Sequence, residues 1–185
     1  MNGERDRRVE AAAEFWRDLA GAEGRAGDTA GAAQLRRCAT PEEALTIEAA
    51  IDLLRRLKRA GYELRGDESV RRVGALAVAL AWVREDVGKP LMQVAGLDGP
   101  NAVASEAKLK PGRFRRLLQS KDATELQRGL VRLVRLLKRA ANVRDLAATI
   151  LFWGDRRKRS LAFDYYAVSS AKPEAQIQTP AANSF

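Results

Sequence analysis

Hydrophobic and basic residues recur along residues 125–139 with the period of an α-helix. At about 100° per residue, one side of that helix carries leucines and the other carries arginines. The leucines are Leu126, Leu130, Leu133 and Leu137, and the arginines are Arg128, Arg132, Arg135 and Arg139. The pattern predicts one face that packs into a core and an opposite face that is open to anions.

The N-terminal half contains four more segments with helical spacing: residues 9–19, 32–38, 41–59 and 68–84. Thr40, Pro41 and Glu43 form a start signal for the third, since Thr can cap a helix, Pro suits its first position and Glu can close a capping box. We expect an interruption of this helix near Thr46. Residues 73–83 are the most apolar run of the chain, and they predict the central helix of an N-terminal lobe.

The C-terminal half contains three helical segments besides the Leu/Arg helix. They cover residues 111–118, 143–153 and 155 to about 169. Asp122 or Thr124 is expected to cap the Leu/Arg helix, Asn142 the helix after it, and Asp155 the last one. Between the two halves, residues 85–104 lose all periodicity and contain several Gly and Pro residues, so we predict a long irregular connection there.

The predicted fold is all-α, because no stretch alternates with period two. We expect a compact bundle of about eight helices in two lobes. The N-terminal helical lobe covers residues 1–95, and the basic C-terminal helical lobe covers residues 105–170. Residues 171–185 are rich in Pro, Ala, Gln, Thr and Ser without periodicity, and they predict a disordered tail.

The composition removes most catalytic chemistry. The chain has no histidine and one cysteine, Cys38, which excludes Ser-His-Asp and Cys-His catalysis and almost every common zinc site. It also lacks a Walker loop and a GxGxxG motif. The remaining carboxylates, such as Asp164 and the Glu42–Glu43 pair, lie apart in the sequence. We therefore predict a protein that is not an enzyme and that has no metal site and no cofactor.

Positive charge is concentrated in the second half of the chain. Residues 1–104 contain 16 Lys and Arg against 17 Asp and Glu, whereas residues 105–185 contain 17 against 7. Such asymmetry indicates nucleic acid or an anionic surface as the partner, although solvated arginines alone would also produce it. The stripe of the Leu/Arg helix favours the first interpretation, because residues 127–144 include no acid that could pair with its arginines.

A second cationic run opens the last predicted helix. It consists of Arg156, Arg157, Lys158 and Arg159. Cations at a helix N-terminus oppose the macrodipole, and a bound polyanion would offset that cost. Nearby aromatic residues could stack on bases, but their helical spacing favours a place in the core. These aromatics are Phe152, Trp153, Phe163, Tyr165 and Tyr166.

Several of these motifs occur in the order found in the CasB family, the small subunit of the type I-E CRISPR surveillance complex Cascade. The chain resembles that family over roughly residues 15–169. The motifs are Arg36-Arg37 before Thr-Pro-Glu-Glu, Arg113-Phe-Arg-Arg-Leu-Leu, Leu-Val-Arg-Leu-Leu, Phe-Trp-Gly-Asp-Arg-Arg and Phe163-Asp-Tyr-Tyr166. The Trp-Gly-Asp-Arg-Arg junction and the Asp-Tyr-Tyr ending are the most specific of them.

The resemblance implies an all-helical, non-catalytic subunit that holds the R-loop open in antiviral defence. Its partners would be the guide RNA, both strands of the target DNA, other Cascade subunits and a second copy of itself. By motif, the resemblance assigns nucleic-acid binding to Arg36, Arg37, Arg113, Arg115, Arg116, Arg135, Arg156 and Arg157. Arg128, Arg132 and Arg139 are added from the helical wheel, and Lys158 and Arg159 from the cationic run. Binding to backbone without sequence preference is expected.

Two other functions fit the same residues. Residues 142–159 could form a helix-turn-helix pair of a transcription regulator, although base-reading Asn and Gln are scarce there. A structural adaptor could dock its basic face on an acidic protein. No membrane association is expected, because the apolar run 74–83 is too short to span a bilayer and no signal peptide precedes it. We predict a cytoplasmic location.

Overall fold

The computed structural model describes residues 2–97 and 106–167. Within them the chain forms ten α-helices, one short 3₁₀ helix and two strands of two residues each. The first half contains α1 (Asn2–Ala20), the 3₁₀ helix (Ala22–Gly24), α2 (Thr29–Arg37), α3 (Pro41–Ala44), α4 (Glu48–Arg59), α5 (Gly66–Ala81), β1 (Glu85–Asp86) and α6 (Leu91–Ala95). The second contains α7 (Pro111–Leu118), α8 (Ala123–Leu136), β2 (Ala140–Ala141), α9 (Val143–Leu151) and α10 (Asp155–Tyr165). The predicted all-helical fold is confirmed.

Helix α5 is the centre of the fold, as its apolar run predicts. Every residue from Val73 to Ala81 is buried, and α5 packs against α1, α2, α3, α4, α8 and α9. At Gly74 the start of α3 comes so close that a Cβ would lie 2.3 Å from the Pro41 carbonyl oxygen. One continuous hydrophobic core therefore joins helices from both predicted lobes. The boundary between the lobes stays a prediction.

The predicted helix start at Thr40 is confirmed. The Thr40 hydroxyl accepts a hydrogen bond from the Glu43 amide at 3.3 Å, and Pro41 occupies the first turn. The Glu43 carboxylate accepts in return from the Ala39 amide at 2.7 Å. The interruption near Thr46 is confirmed as well, because α3 ends at Ala44 and α4 begins at Glu48. Asp122 and Asn142 cap α8 and α9 as predicted.

Two expectations about local structure are wrong. The predicted irregular connection contains β1 and the helix α6, whose Leu91, Met92 and Ala95 are buried; a helix of five residues is too short for its period to stand out. β1 pairs in parallel with β2, Glu85 with Ala140 and Asp86 with Ala141, and two residues show no alternation. The cap of α10 is Gly154 instead of Asp155.

An ion-pair network fastens α1 to the second half of the chain. Glu10 accepts hydrogen bonds from Arg17 at 2.9 Å and from Arg144 at 2.7 Å. The pKa of the Glu10 carboxyl is lowered, mainly by the hydrogen bond from Arg17 and also by Arg144, against an opposing effect of burial. Arg144 is thus already occupied by a carboxylate.

The described helices include none that is long and apolar enough to cross a membrane. The predicted tail, residues 171–185, and part of the predicted connection lie outside the described residues. The cytoplasmic location stays a prediction.

Candidate nucleic-acid interface

Helix α8 has the two faces that its sequence predicts. Leu126, Leu130 and Leu133 are at most 1% exposed, and this face packs on α5. The three arginines of the opposite face are exposed, and we call them the α8 stripe: Arg128, Arg132 and Arg135. At about 1.5 Å per residue the stripe extends roughly 10 Å along the helix axis. Within the part of the chain that the structure describes, no carboxylate oxygen lies within 4.0 Å of a stripe guanidinium nitrogen.

Helix α7 lies beside α8 and adds more cations. Phe114 and Leu117 are buried, so the helix is anchored by its apolar side. Gly129 of α8 permits this approach, because a Cβ there would lie 2.7 Å from Leu117 Cδ1. The cations of α7 are all exposed: Arg113, Arg115 and Arg116.

The α8 stripe is shorter than predicted, because α8 ends at Leu136. Lys138 and Arg139 follow with φ angles of 57° and 69°, in the left-handed region that non-glycine residues seldom adopt. The Arg139 amide donates to the Val134 carbonyl at 2.8 Å, and the Arg139 carbonyl accepts from the Arg84 amide at 2.9 Å. The chain therefore turns sharply here and carries Arg139 off the helix.

This turn places Arg139 against an indole ring. The guanidinium carbons of Arg139 and Arg135 lie 4.9 Å and 5.1 Å from the centroid of Trp82. Both distances are within the range of cation–π attraction. Trp82 itself caps the end of α5, so the ring is supported by the central helix. One aromatic ring thus contacts two cations.

Two further arginines lie near Arg139, and the amide of one of them, Arg84, donates to the Arg139 carbonyl. Arg36, at the end of α2, donates from Nη1 to the Ala81 carbonyl at 3.0 Å. The pKa of Arg139 is lowered, first by desolvation and then by three neighbouring guanidinium groups, those of Arg84, Arg36 and Arg135. We call this set the Trp82 cluster: Trp82, Arg36, Arg84, Arg135 and Arg139. Among residues 2–97 and 106–167, its arginines have no carboxylate oxygen within 4.0 Å.

In the cationic run at the start of α10, unlike the Trp82 cluster, one arginine is paired with a carboxylate. Arg157 Nη2 donates to Asp145 Oδ1 at 2.5 Å, and Arg157 Nε donates to Thr149 Oγ1 at 3.0 Å. The Arg157 and Asp145 side chains are only 13% and 14% exposed. Lys158 lies over Trp153, with Nζ 5.2 Å from the ring centroid. Half of the run is therefore engaged inside the protein.

Arg156 and Arg159 remain exposed, as does Arg37 at the end of α2. Of the aromatic residues near the run, some are buried and others are exposed. Trp153 and Tyr165 are buried as expected, and the Tyr165 ring stacks on Phe114 with centroids 4.0 Å apart. Phe163 and Tyr166 are 53% and 44% exposed, so the expectation that these two residues belong to the core is wrong.

The family model of CRISPR-associated protein Cse2 matches residues 31–166. This range is most of the chain and includes every cation of the candidate interface. The chain belongs to the Cse2 family. The resemblance noted in the sequence is thereby confirmed. A search of curated proteins gave no match.

The fold of this Cse2-family chain is similar to a chain in the crystal structure of E. coli Cascade bound to a PAM-containing dsDNA target with a 32-nt spacer. The TM-score is 0.57 at 20% sequence identity, and the alignment covers 86% of this chain and 96% of the other. At that identity the likeness establishes the fold.

Trp82 and Arg84 were not among the residues predicted for the interface of this Cse2-family chain. In the sequence, Trp82 is part of the apolar run 73–83, and this position predicts a core residue. Arg84 is the last residue of the predicted helix 68–84, directly before the segment expected to be irregular. Their proximity to Arg139 depends on the pairing of β1 with β2, which no local pattern predicts.

Proposed function

We propose that this chain is the small subunit of a type I-E Cascade complex, and that it holds nucleic acid by the backbone without catalysis of its own. Membership of the Cse2 family supports the assignment to Cascade. The fold similarity to a chain of a DNA-bound Cascade supports it independently. The absence of histidine from the sequence is consistent with a non-catalytic role.

The observation that carries the binding proposal is the α8 stripe. Its arginines are exposed, they lie opposite a buried leucine row, and they have no carboxylate within 4.0 Å in the described chain. Surface arginines that serve only solubility are usually interspersed with acids. Arg keeps its charge throughout the physiological range and can contact phosphate with two nitrogens at once. A row of such groups fits a row of phosphates.

The exposed arginines of α7 lie beside the stripe, and Arg37, Arg156 and Arg159 are further exposed cations available to a ligand. We propose that the stripe and these cations contact the guide RNA and the target DNA, including the displaced strand, while other Cascade subunits and a second copy of the chain complete the assembly. Base pairing with the guide reads the sequence, so this subunit needs only to recognise charge and shape.

The family match favours this proposal over the helix-turn-helix regulator and the structural adaptor. Within residues 142–159, α9 is mostly buried and Arg157 is fastened to Asp145. Few side chains of that pair are left to read bases in a major groove.

The proposal can be tested in two steps. A tagged chain purified from its native host should bring with it other Cascade subunits and RNA of guide length.

In the reassembled complex, the variant R128Q/R132Q should join in normal amount but open less target DNA, measured as permanganate reactivity of the displaced strand. R55Q/R59Q is the matched control, because Arg55 and Arg59 are two exposed arginines with the same spacing on α4, far from α8 in the sequence. Absence of RNA, or an R-loop unaffected by R128Q/R132Q, would contradict the proposal.

A further inference from the structure

The Trp82 cluster brings like charges together where a protein normally separates them. Its four arginines come from three places in the chain: the end of α2, the turn after α5 and the end of α8. Each is fixed in a different way, Arg36 by the Ala81 carbonyl and Arg139 by a left-handed turn. Such convergence without a carboxylate leaves a local excess of positive charge.

The indole of Trp82 is the common support. A guanidinium over an aromatic face is attracted by the ring and still presents its N–H groups at the edge for other acceptors. Arg135 and Arg139 both lie about 5 Å from the same ring, at 5.1 Å and 4.9 Å. Since neither is neutralised by an acid in the described chain, both keep their hydrogen-bonding capacity for a ligand.

The backbone of the turn supports the same conclusion. Lys138 and Arg139 are consecutive non-glycine residues with positive φ, whereas glycine is usual where a helix ends in this conformation. Strained backbone of this kind persists where the surrounding structure holds it, and it is concentrated at functional sites. Here the strain has a visible result, because it carries the Arg139 side chain to the Trp82 ring.

We infer that Trp82 is a positioning residue for a phosphodiester-binding site, in which its indole holds the guanidinium groups of Arg135 and Arg139 and in which Arg36 and Arg84 add to the local positive charge. This inference rests on the proposed function, and it adds a particular phosphate-binding site and the role of Trp82 in that site. The ligand is the phosphate backbone of an unpaired or paired nucleic-acid strand. Trp82 contributes by arranging the cations that contact it.

Tryptophan fluorescence tests the site, first in the parent chain and then in the W82F variant. The chain has three tryptophans, of which Trp16 and Trp153 are 5% and 8% exposed and Trp82 is half-buried. Titration of the full-length chain with an oligo-dT strand should change the emission. In W82F, which retains an aromatic support, oligo-dT should still bind, measured by anisotropy of a labelled strand, while the remaining emission should no longer respond. An unchanged emission in the parent at saturating oligo-dT would overturn the inference.

A pair of variants then separates positioning from packing. W82F and W82L both replace a half-buried indole, but only phenylalanine offers a face to a guanidinium. W82L should bind oligo-dT about 3- to 10-fold more weakly, as expected for the loss of two cation–π contacts, and W82F should stay within about 2-fold of the parent. Thermal melting of both variants checks that they are folded.

The outcomes distinguish this inference from the proposed function. If W82L binds as well as the parent while R128Q/R132Q binds weakly, the role of Trp82 is wrong and the proposed function stands. If R128Q/R132Q also binds as well as the parent, the proposed function fails together with the inference. If W82F loses as much affinity as W82L with an intact melting temperature, aromatic support of the arginines is refuted.

Discussion

Helices α8 and α10 both carry several cations, but they use their arginines differently. Helix α8 buries a row of leucines, whereas α10 buries Leu161 and Tyr165 in the same core. In α8 the stripe is exposed and has no acid within 4.0 Å among the described residues. In α10, Arg157 is held by Asp145 and Lys158 lies over Trp153.

The difference comes from the acids within reach of each helix. The one acid of α8 is Glu125 in its first turn, whose Oε2 accepts from the Lys121 amide at 3.0 Å, and it forms no ion pair with the stripe. Residues 127–144 contain no Asp or Glu. Asp145 follows directly, in the first turn of α9, where its Oδ2 also accepts from the Leu91 amide at 2.9 Å. It therefore fastens α10 and α6 to α9. Charge density in a sequence does not by itself distinguish a structural arginine from an available one.

Removing the buried face of α8 should have the largest effect on stability. Leu130→Ala and Leu133→Ala each delete a fully buried side chain, at 0% and 1% exposure. Each substitution should lower the free energy of unfolding by about 2 to 5 kcal/mol, through lost burial and the cavity left behind. Urea denaturation followed by circular dichroism measures this. A loss below about 1 kcal/mol, typical of surface positions, would mean that the row does not form part of the core.

Breaking the ion pair of α10 should have the next largest effect. Arg157→Gln leaves the Asp145 carboxylate without its cation in a largely buried place. We expect a loss of about 2 to 3 kcal/mol in the free energy of unfolding. The matched control is Arg156→Gln, which removes an exposed charge next to it and should change stability by no more than about 0.5 kcal/mol. Equal effects of the two substitutions in urea denaturation would remove the distinction between the helices.

A substitution at Lys138, just after the end of α8, should have a smaller effect and should increase stability. Lys138 has a φ of 57° and an exposed side chain. Lys138→Gly should raise the free energy of unfolding by about 0.5 to 1 kcal/mol, since glycine adopts this conformation without steric cost. Lys138→Ala removes the same charge and keeps the strain, so it should give no gain. Thermal melting compares the two variants, and a loss of stability in Lys138→Gly would contradict the strained turn.

Much of the fold follows from local sequence. The period of Leu126, Leu130 and Leu133, the apolar run of α5 and the start signal at Thr40 each depend on residues close in the chain, and the structure confirms all three. The α6 helix and the β1–β2 pairing were not predicted. The first is too short to show a period, and the second joins residues 55 apart in the sequence, Glu85 and Ala140.

The candidate interface was predictable only in part. The α8 stripe follows from the helical wheel, because all its members lie on one helix. The engagement of Arg157 depends on Asp145 across a helix junction, and the Trp82 cluster depends on three chain segments that meet only in the folded state. Contacts of this kind are set by tertiary packing, which the spacing of residues along the chain does not encode.

The most direct test of the central claim is the salt dependence of nucleic-acid binding by the variant R128Q/R132Q/R135Q. Gln and Arg have similar helix propensity and the leucine face is untouched, so stability should stay within about 1 kcal/mol of the parent. If the α8 stripe contacts phosphates, affinity for single-stranded DNA should fall, and the slope of log affinity against log salt should decrease by about 2, since each lost contact contributes about 0.7. A folded triple variant with the affinity and salt slope of the parent would contradict the account, and an unfolded one would mean that these arginines are structural.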